Sequence, residues 1–328
     1  MWKKLLAYPK RMVCKYILGR DTIVRWESKM NKRNKLSMQY TQLFINKYIH
    51  CKNINALSDL KEKDYDAIVV GSDQVWRPPY YSQIEGAFLN FSKGWNIRRI
   101  AYAPSFGVDN WEYTDEQTEE CRRLLRCFDA VSVREESGVT LCRKYLGRDA
   151  EWVLDPTMLL DAKDYAKLFQ LAGTLPSKGN LLCYILDESP RTKTLIDNVA
   201  ESLNLKAFRV NSQVEDYNAS LECCIQPPVE SWIRGFHDAQ FVVTDSFHAC
   251  VFSILFRKQF VVAGNAGRGL SRIKSLLGML GLESRHVDER TDFRGLGNID
   301  YNKVHDRLKT RKEQSKAFLL NSLGGDLL

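Results

Sequence analysis

A histidine stands where one apolar pattern gives way to another. Phe241-Val-Val243 reads as a buried strand, Thr244-Asp-Ser-Phe-His248 follows it, and an apolar run to Phe256 reads as a buried helix. A strand-to-helix junction of this kind offers unpaired backbone N–H groups and the positive end of a helix dipole, and His248 adds a titratable donor to it. The chemistry such a junction suits is the binding of a phosphate or carboxylate. Asp245 and Ser246 precede the histidine and can join the ligand or simply cap the helix, with His248 then a satisfied interior residue.

Further polar groups stand at the ends of other apolar runs. Gly71-Ser72-Asp73-Gln74 leaves Tyr65–Val70, Ala103-Pro104-Ser105-Phe106-Gly107 leaves Arg99–Tyr102, Arg134-Glu135-Glu136 leaves Ala130–Val133, and Asp155-Pro156-Thr157 leaves Glu151–Leu154. In open parallel sheets ligands collect beyond the carboxyl ends of the strands, so Ser72, Asp73, Gln74, Ser105, Arg134, Asp245, Ser246 and His248 are the candidate site residues. The stretch Gly264-Asn-Ala-Gly-Arg-Gly-Leu-Ser-Arg-Ile-Lys274 adds glycines that let backbone N–H groups approach an anion, with Arg268, Arg272 and Lys274 to pair with it. Each fragment has a plainer reading. Asp73 can bond its own backbone in a tight turn with Trp76 as core, and Arg134 can pair with Glu135 and Glu136 at the surface.

The elements that must position these groups alternate. Helical or loop patterns such as Thr114–Phe128 and Glu136–Leu146 separate the first four strands, and a helical pattern at Asp161–Leu171 follows them. Gly173 to Gly179 is rich in turn residues, and a second alternation follows: strands at Leu181–Leu186, Lys206–Val210, Phe241–Val243 and Gln259–Ala263, helices at Arg191–Leu203, Ser231–Phe236, His248–Phe256 and Ser271–Leu280. Strands bounded by helices predict parallel sheets covered on both faces, hence an α/β chain of two Rossmann-like lobes: residues 1–176, opening with a basic helical segment, and 177–328, closing with an amphipathic helix at Tyr301–Leu323.

Composition narrows the classes. With 328 residues, 44% apolar and 27% charged, the chain can build two cores, and no apolar run approaches a bilayer span. Nine cysteines, an odd number without a Cys-x-x-Cys pair, fit reduced thiols in a cytoplasm better than a disulfide framework or a zinc site. The net charge of +8 is concentrated early: residues 1 to 35 hold eleven Lys or Arg against Asp21 and Glu27. Interleaved with Trp2, Leu5, Leu6, Tyr8 and Trp26, that segment suits peripheral contact with an anionic membrane surface or with a lipid-diphosphate acceptor, the alternative being a solvated helical face. No helix-turn-helix, OB or RRM pattern accompanies it, so nucleic acid is not an expected partner.

Taken together and in order, Asp66-Ala-Ile-Val-Val-Gly-Ser-Asp-Gln-Val-Trp76, Ile100-Ala-Tyr-Ala-Pro-Ser-Phe-Gly107, Phe128-Asp-Ala-Val-Ser-Val-Arg-Glu-Glu-Ser-Gly138, Val153-Leu-Asp-Pro-Thr157 and Thr244-Asp-Ser-Phe-His248 resemble the polysaccharide pyruvyl transferase family. The resemblance spans roughly residues 60 to 285. It implies a GT-B-like pair of lobes and the transfer of the enolpyruvyl unit of phosphoenolpyruvate to two hydroxyls of a sugar, giving a pyruvate ketal and free phosphate, with no metal or other cofactor. The family's arginine in the Ser-Val-Arg segment and its histidine carry over to Arg134 and His248, implicated in donor binding or catalysis. A downstream basic residue carries over to Arg268, Arg272 or Lys274, and Asp73 or Asp245 is the candidate for taking the hydroxyl proton or orienting the histidine. The implied acceptor is a cell-envelope or capsular glycan precursor, free or lipid-linked at the inner membrane face.

One feature departs from the family. Its members open with a strand and a loop of the Asn-Tyr-Gly-Ala-Leu-Gln kind, and nothing similar precedes Tyr65, so the N-terminal lobe is expected to lack its first strand-loop-helix unit. The competing expectations are a GT-B-like glycosyltransferase using a nucleotide sugar in the same cleft and a catalytically degenerate family member.

Overall fold

The computed structural model describes Met12, Lys15, Ile17, Leu18 and residues 26–213, 219–264, 269–287 and 293–325. The first of its two parallel sheets has the order β1-β2-β3-β4: β1 (Ala67–Val70), β2 (Arg98–Ala101), β3 (Ala130–Val133) and β4 (Glu151–Trp152). The second has the order β6-β5-β7-β8-β9: β5 (Leu181–Tyr184), β6 (Ala207–Phe208), β7 (Phe241–Thr244), β8 (Gln259–Ala263) and β9 (His286–Val287). All pairings are parallel. The α/β reading therefore holds. The expected lobe boundary at 176/177 falls between β4 and β5 in the chain.

Ten α-helices are described: α1 (Trp26–Ser37), α2 (Gln39–Tyr48), α3 (Asp115–Leu125), α4 (Glu136–Leu141), α5 (Ala162–Leu171), α6 (Pro190–Leu203), α7 (Val229–Asp238), α8 (Phe247–Leu255), α9 (Leu270–Leu280) and α10 (Tyr301–Leu323). Among the described residues no strand precedes Ala67, and β1 is an edge strand. The chain divides into two compact units, the described parts of 1–51 with 210–232, and 52–209 with 233–328. Both sheets belong to the second.

The core of that unit follows the apolar runs. Trp76 is fully buried, stacks on Phe88 and donates its indole N–H to the Ala87 carbonyl, so the tight-turn reading of its loop is right about Trp76. Around it pack Phe106, Tyr113, Leu125, Val133 and Leu146, while Leu181, Cys183, Val199, Val243 and Val261 form the core of the second sheet. Helix α8 is buried along almost its whole length, which explains why its sequence is apolar on every face.

In the other unit, α1 carries Lys29, Lys32 and Lys35 on exposed positions and buries Arg33, which donates to the carbonyls of Ala219 and Gln213. Trp2, Leu5, Leu6, Tyr8 and the first basic residues lie outside the described residues. Among the described residues, no helix is long and apolar enough to cross a membrane.

Candidate active site

Arg134 leaves β3 and is buried. Its side chain is only 1% exposed, and each end of its guanidinium holds a carboxylate: Nη1 donates to Asp155 Oδ2 at 2.7 Å and Nη2 to Asp73 Oδ1 at 2.9 Å. It therefore does not form the surface pair with Glu135 and Glu136. The guanidinium carbon lies 4.4 Å from the centre of the Phe247 ring, and Nε has no hydrogen-bond partner among the described residues. Burial works against that charge, but Asp155, Glu135 and Asp73 raise its pKa and keep it cationic.

Asp155 sits at the start of a short 3-10 turn, Pro156–Leu159, that follows β4. Its Oδ1 accepts from the backbone N–H of Thr157 at 3.0 Å and from the Thr157 hydroxyl at 2.6 Å. Its Oδ2, besides binding Arg134, faces His248 Nε2 at 3.8 Å. Burial alone would raise this carboxyl, yet Arg134, His248 and Thr157 together hold it below the ordinary value.

His248 lies in the first turn of α8, whose N-cap Ser246 makes no side-chain capping bond. The imidazole is 36% exposed. Burial pushes its pKa below the ordinary 6.5; Asp155 opposes this, Arg134 adds to it, Asp73 opposes and Arg272 adds.

Arg272, in the first turn of α9, completes the group. Its Nη1 reaches Asp73 Oδ1 at 3.5 Å, and its guanidinium carbon is 5.7 Å from the Phe247 ring centre, so two guanidiniums share one aromatic ring. Its pKa is lowered to about 10, by burial first and by Arg134 second. Asp73 adopts a positive φ of 60° and is 56% exposed; Arg134, His248 and Arg272 outweigh its burial and lower its pKa.

Arg134, Asp73, Asp155, His248 and Arg272 are thus brought together, with Phe247 behind the two arginines. Other candidates are occupied elsewhere. Asp245 accepts from the backbone N–H groups of Leu186 and Asp187 at 2.7 and 3.0 Å, fixing the exits of β5 and β7 to each other. Ser105 is buried and donates to Glu135 Oε1 at 3.0 Å. Gln74 accepts from Arg77 at 3.3 Å, and Ser246 is buried with its N–H on Thr244 Oγ1. Lys274 is exposed, and Ser72 is half-buried beside Asp73. Arg268 lies outside the described residues.

Asp155, Phe247 and Glu135 belong to the arrangement although none is among the candidate site residues of the sequence. The signal for Asp155 is its place in the Asp155-Pro156-Thr157 exit, one of the polar strand exits. Glu135 is fully buried, accepts from the N–H of Phe106 at 2.8 Å, and has its pKa raised by burial. Among the described residues no three His, Cys, Asp or Glu side chains are placed to share a metal ion.

Two parallel sheets with cationic and titratable groups at their strand exits define an α/β protein. The chain belongs to the polysaccharide pyruvyl transferase family, whose model matches residues 8–267, and it is a transferase of polysaccharide biosynthesis. A comparison with curated proteins gives no match. Among solved structures, a histidine-to-alanine variant of the wall teichoic acid polymerase TagF is similar at 12% identity, covering 98% of this chain and 96% of that one, with a TM-score of 0.36.

Proposed function

We propose that this transferase moves the enolpyruvyl group of phosphoenolpyruvate onto a sugar of a cell-surface glycan precursor, free or lipid-linked, and closes it to a pyruvate ketal. The observation that carries the reading is the convergence of two arginines on one carboxylate position, Asp73, with His248 held next to the same Arg134 through their shared partner Asp155. Asp73 Oδ1 lies 2.9 Å from Arg134 and 3.5 Å from Arg272, and a ligand carboxylate or phosphate that displaced this half-exposed side chain would meet both guanidiniums. The unpartnered Nε of Arg134 is a further donor.

The donor is a trianion at neutral pH, and its charge favours the protonated form of a nearby imidazole. His248 then delivers a proton to the methylene carbon, which becomes the methyl group while C2 becomes electrophilic. A sugar hydroxyl adds to C2 and gives up its proton to Asp73. The C2–O bond to phosphate breaks with the electron pair leaving on phosphate, where Arg272 stabilises the charge, and the second hydroxyl closes the ketal. Of the two hydroxyl protons, one replaces the proton that His248 gave to the methyl group and the other goes to the departing phosphate, which leaves as the hydrogen phosphate dianion, so atoms and charge balance. Asp155 keeps Arg134 and His248 in register without touching the donor. The chain acts in the cytoplasm, with its basic N-terminal segment meeting the inner membrane face when the acceptor is lipid-linked.

Calorimetric titration with phosphoenolpyruvate tests this reading. Arg134→Lys is expected to weaken binding about tenfold or more, since an ammonium cannot replace the fork. His248→Ala is expected to bind the donor within a few-fold of wild type and release no phosphate in the presence of acceptor. Equal binding by wild type and Arg134→Lys, or phosphate release by His248→Ala, would remove the assignments.

A further inference from the structure

The loop that supplies Asp73 continues through Arg77-Pro78-Pro79-Tyr80-Tyr81, and the two tyrosines part company. Tyr81 turns its hydroxyl toward Gly86 and is 37% exposed, whereas Tyr80 is 56% exposed. Its ring is not loose. The Arg77 guanidinium carbon lies 4.8 Å from the ring centre, and Arg77 is itself fixed by Glu112 through Nε at 2.9 Å and Nη2 at 3.2 Å. The Tyr80 N–H donates to the Arg77 carbonyl at 2.9 Å, and Pro78 and Pro79 restrict the backbone between them.

Tyr80 also stands beside the anion site. Arg77 packs against Gly107, the Gly107 carbonyl abuts Gly269, and Gly269 opens the helix whose first turn carries Arg272. An exposed aromatic ring, held from one side by a neutralised guanidinium and adjacent to a phosphate-type site, has an electron-rich face open to the weakly positive C–H groups on the apolar face of a pyranose.

We propose that Tyr80 is the stacking platform for the acceptor, binding a pyranose ring beside the donor pocket. The inference rests on the pyruvyl transfer reading for its meaning, but it is a statement about sugar binding that can fail on its own. Rigidity of the Pro78-Pro79 turn means little ordering is required when the sugar binds. The ring, rather than the phenol hydroxyl, makes the contact.

Saturation-transfer NMR on the whole chain, with methyl glycopyranosides of glucose, galactose, mannose and N-acetylglucosamine, tests it. Wild type is expected to transfer saturation to the C–H protons of at least one of these sugars. Tyr80→Ala should reduce that transfer at least about fivefold, while Tyr80→Phe and Tyr80→Trp retain it. Phosphoenolpyruvate titration should give the same affinity for wild type and Tyr80→Ala. Equal transfer in wild type and Tyr80→Ala, loss in Tyr80→Phe as large as in Tyr80→Ala, or no transfer to any sugar in wild type would overturn the platform. If the sugar results hold and wild type fails to bind phosphoenolpyruvate, the donor reading falls and the platform stands.

Discussion

At the scale of single residues, the site is set by who shares Asp155. Its charge raises the His248 pKa against a larger lowering by burial. Asp155→Asn removes that support, so the imidazole becomes harder to protonate and the alkaline limb of the pH profile for phosphoenolpyruvate turnover, where the general acid loses its proton, should move to lower pH. At pH 7 the protonated fraction, and with it kcat, is expected to fall on the order of tenfold. An unmoved limb with reduced kcat would assign Asp155 a packing role only. Asp155 is also linked to stability. Its native pKa is depressed, so its contribution is complete above the ordinary 3.8 and is lost as pH falls through the lower native value. Asp155→Asn should therefore flatten the loss of stability below about pH 4 in acid denaturation. Asp73 gives the opposite test. As the carboxylate that occupies the meeting point of two guanidiniums, it competes with the donor, and Asp73→Asn should tighten phosphoenolpyruvate binding severalfold while lowering kcat. Weaker binding in that variant would mean Asp73 helps to hold the ligand. Arg134 and His248 were legible because each ends a readable apolar run. Asp155 was legible only as part of a polar strand exit and not as their common partner, since Arg134 and His248 lie in distant parts of the chain and only the folded sheets bring them within 4 Å of it.

At the scale of elements, most boundaries were written in the chain. Ala130–Val133 and Gln259–Ala263 are strands over the residues their apolar runs predict, and the terminal helix ends at Gly324 as its sequence indicates, with a φ of 106°. Where the reading overshot, a pairing limit explains it. The strand expected over Glu151–Leu154 stops at Trp152, where its pairing with β3 ends. The strand expected over Lys206–Val210 shrinks to Ala207–Phe208, matched to two residues of β5. β9 is too short to show a pattern at all. What propensity could not reveal is how the exit of β2 meets the start of α9. Gly269 has a φ of 83°, and a methyl group there would be driven onto the Gly107 backbone oxygen. Gly94 has a φ of 82° with open space around it. Alanine at Gly94 should cost only its backbone strain, about 1 kcal/mol. Alanine at Gly269 should cost more and should also displace Arg272, raising the KM for phosphoenolpyruvate. Comparing denaturant midpoints and KM values of the two variants checks this, and equal effects would show that conformation alone, not the close approach, demands glycine at Gly269.

At the scale of the molecule, α10 ties the second sheet's helices to the first sheet. At its start the Tyr301 hydroxyl donates to the carbonyls of Lys258 and Ser253, just beyond and at the end of α8, and His305 accepts from Arg257 at 3.1 Å. Toward its end, Phe318 packs with Ile100, Tyr102 and Val153, and Arg98 donates to the Ser322 carbonyl at 3.2 Å. Between these points the buried Ser315 hydroxyl accepts the Leu154 N–H at 2.9 Å, immediately before Asp155 in the chain. A helix with no group in the site therefore helps to set the height of the carboxylate that orders Arg134 and His248. Ser315→Ala leaves the Leu154 N–H buried without its acceptor, a cost of about 1–3 kcal/mol, and Phe318→Ala opens a cavity at a cost of about 3–5 kcal/mol. If α10 acts on the site through Leu154, Ser315→Ala should lower kcat and speed hydrogen exchange at the Leu154 and Asp155 amides, although it is the milder change in stability. Phe318→Ala should lower stability further with a smaller effect on kcat per kcal/mol lost. Were kcat to follow stability alone across the two variants, α10 would be a fastener for the fold and the site would be set by the sheets without it.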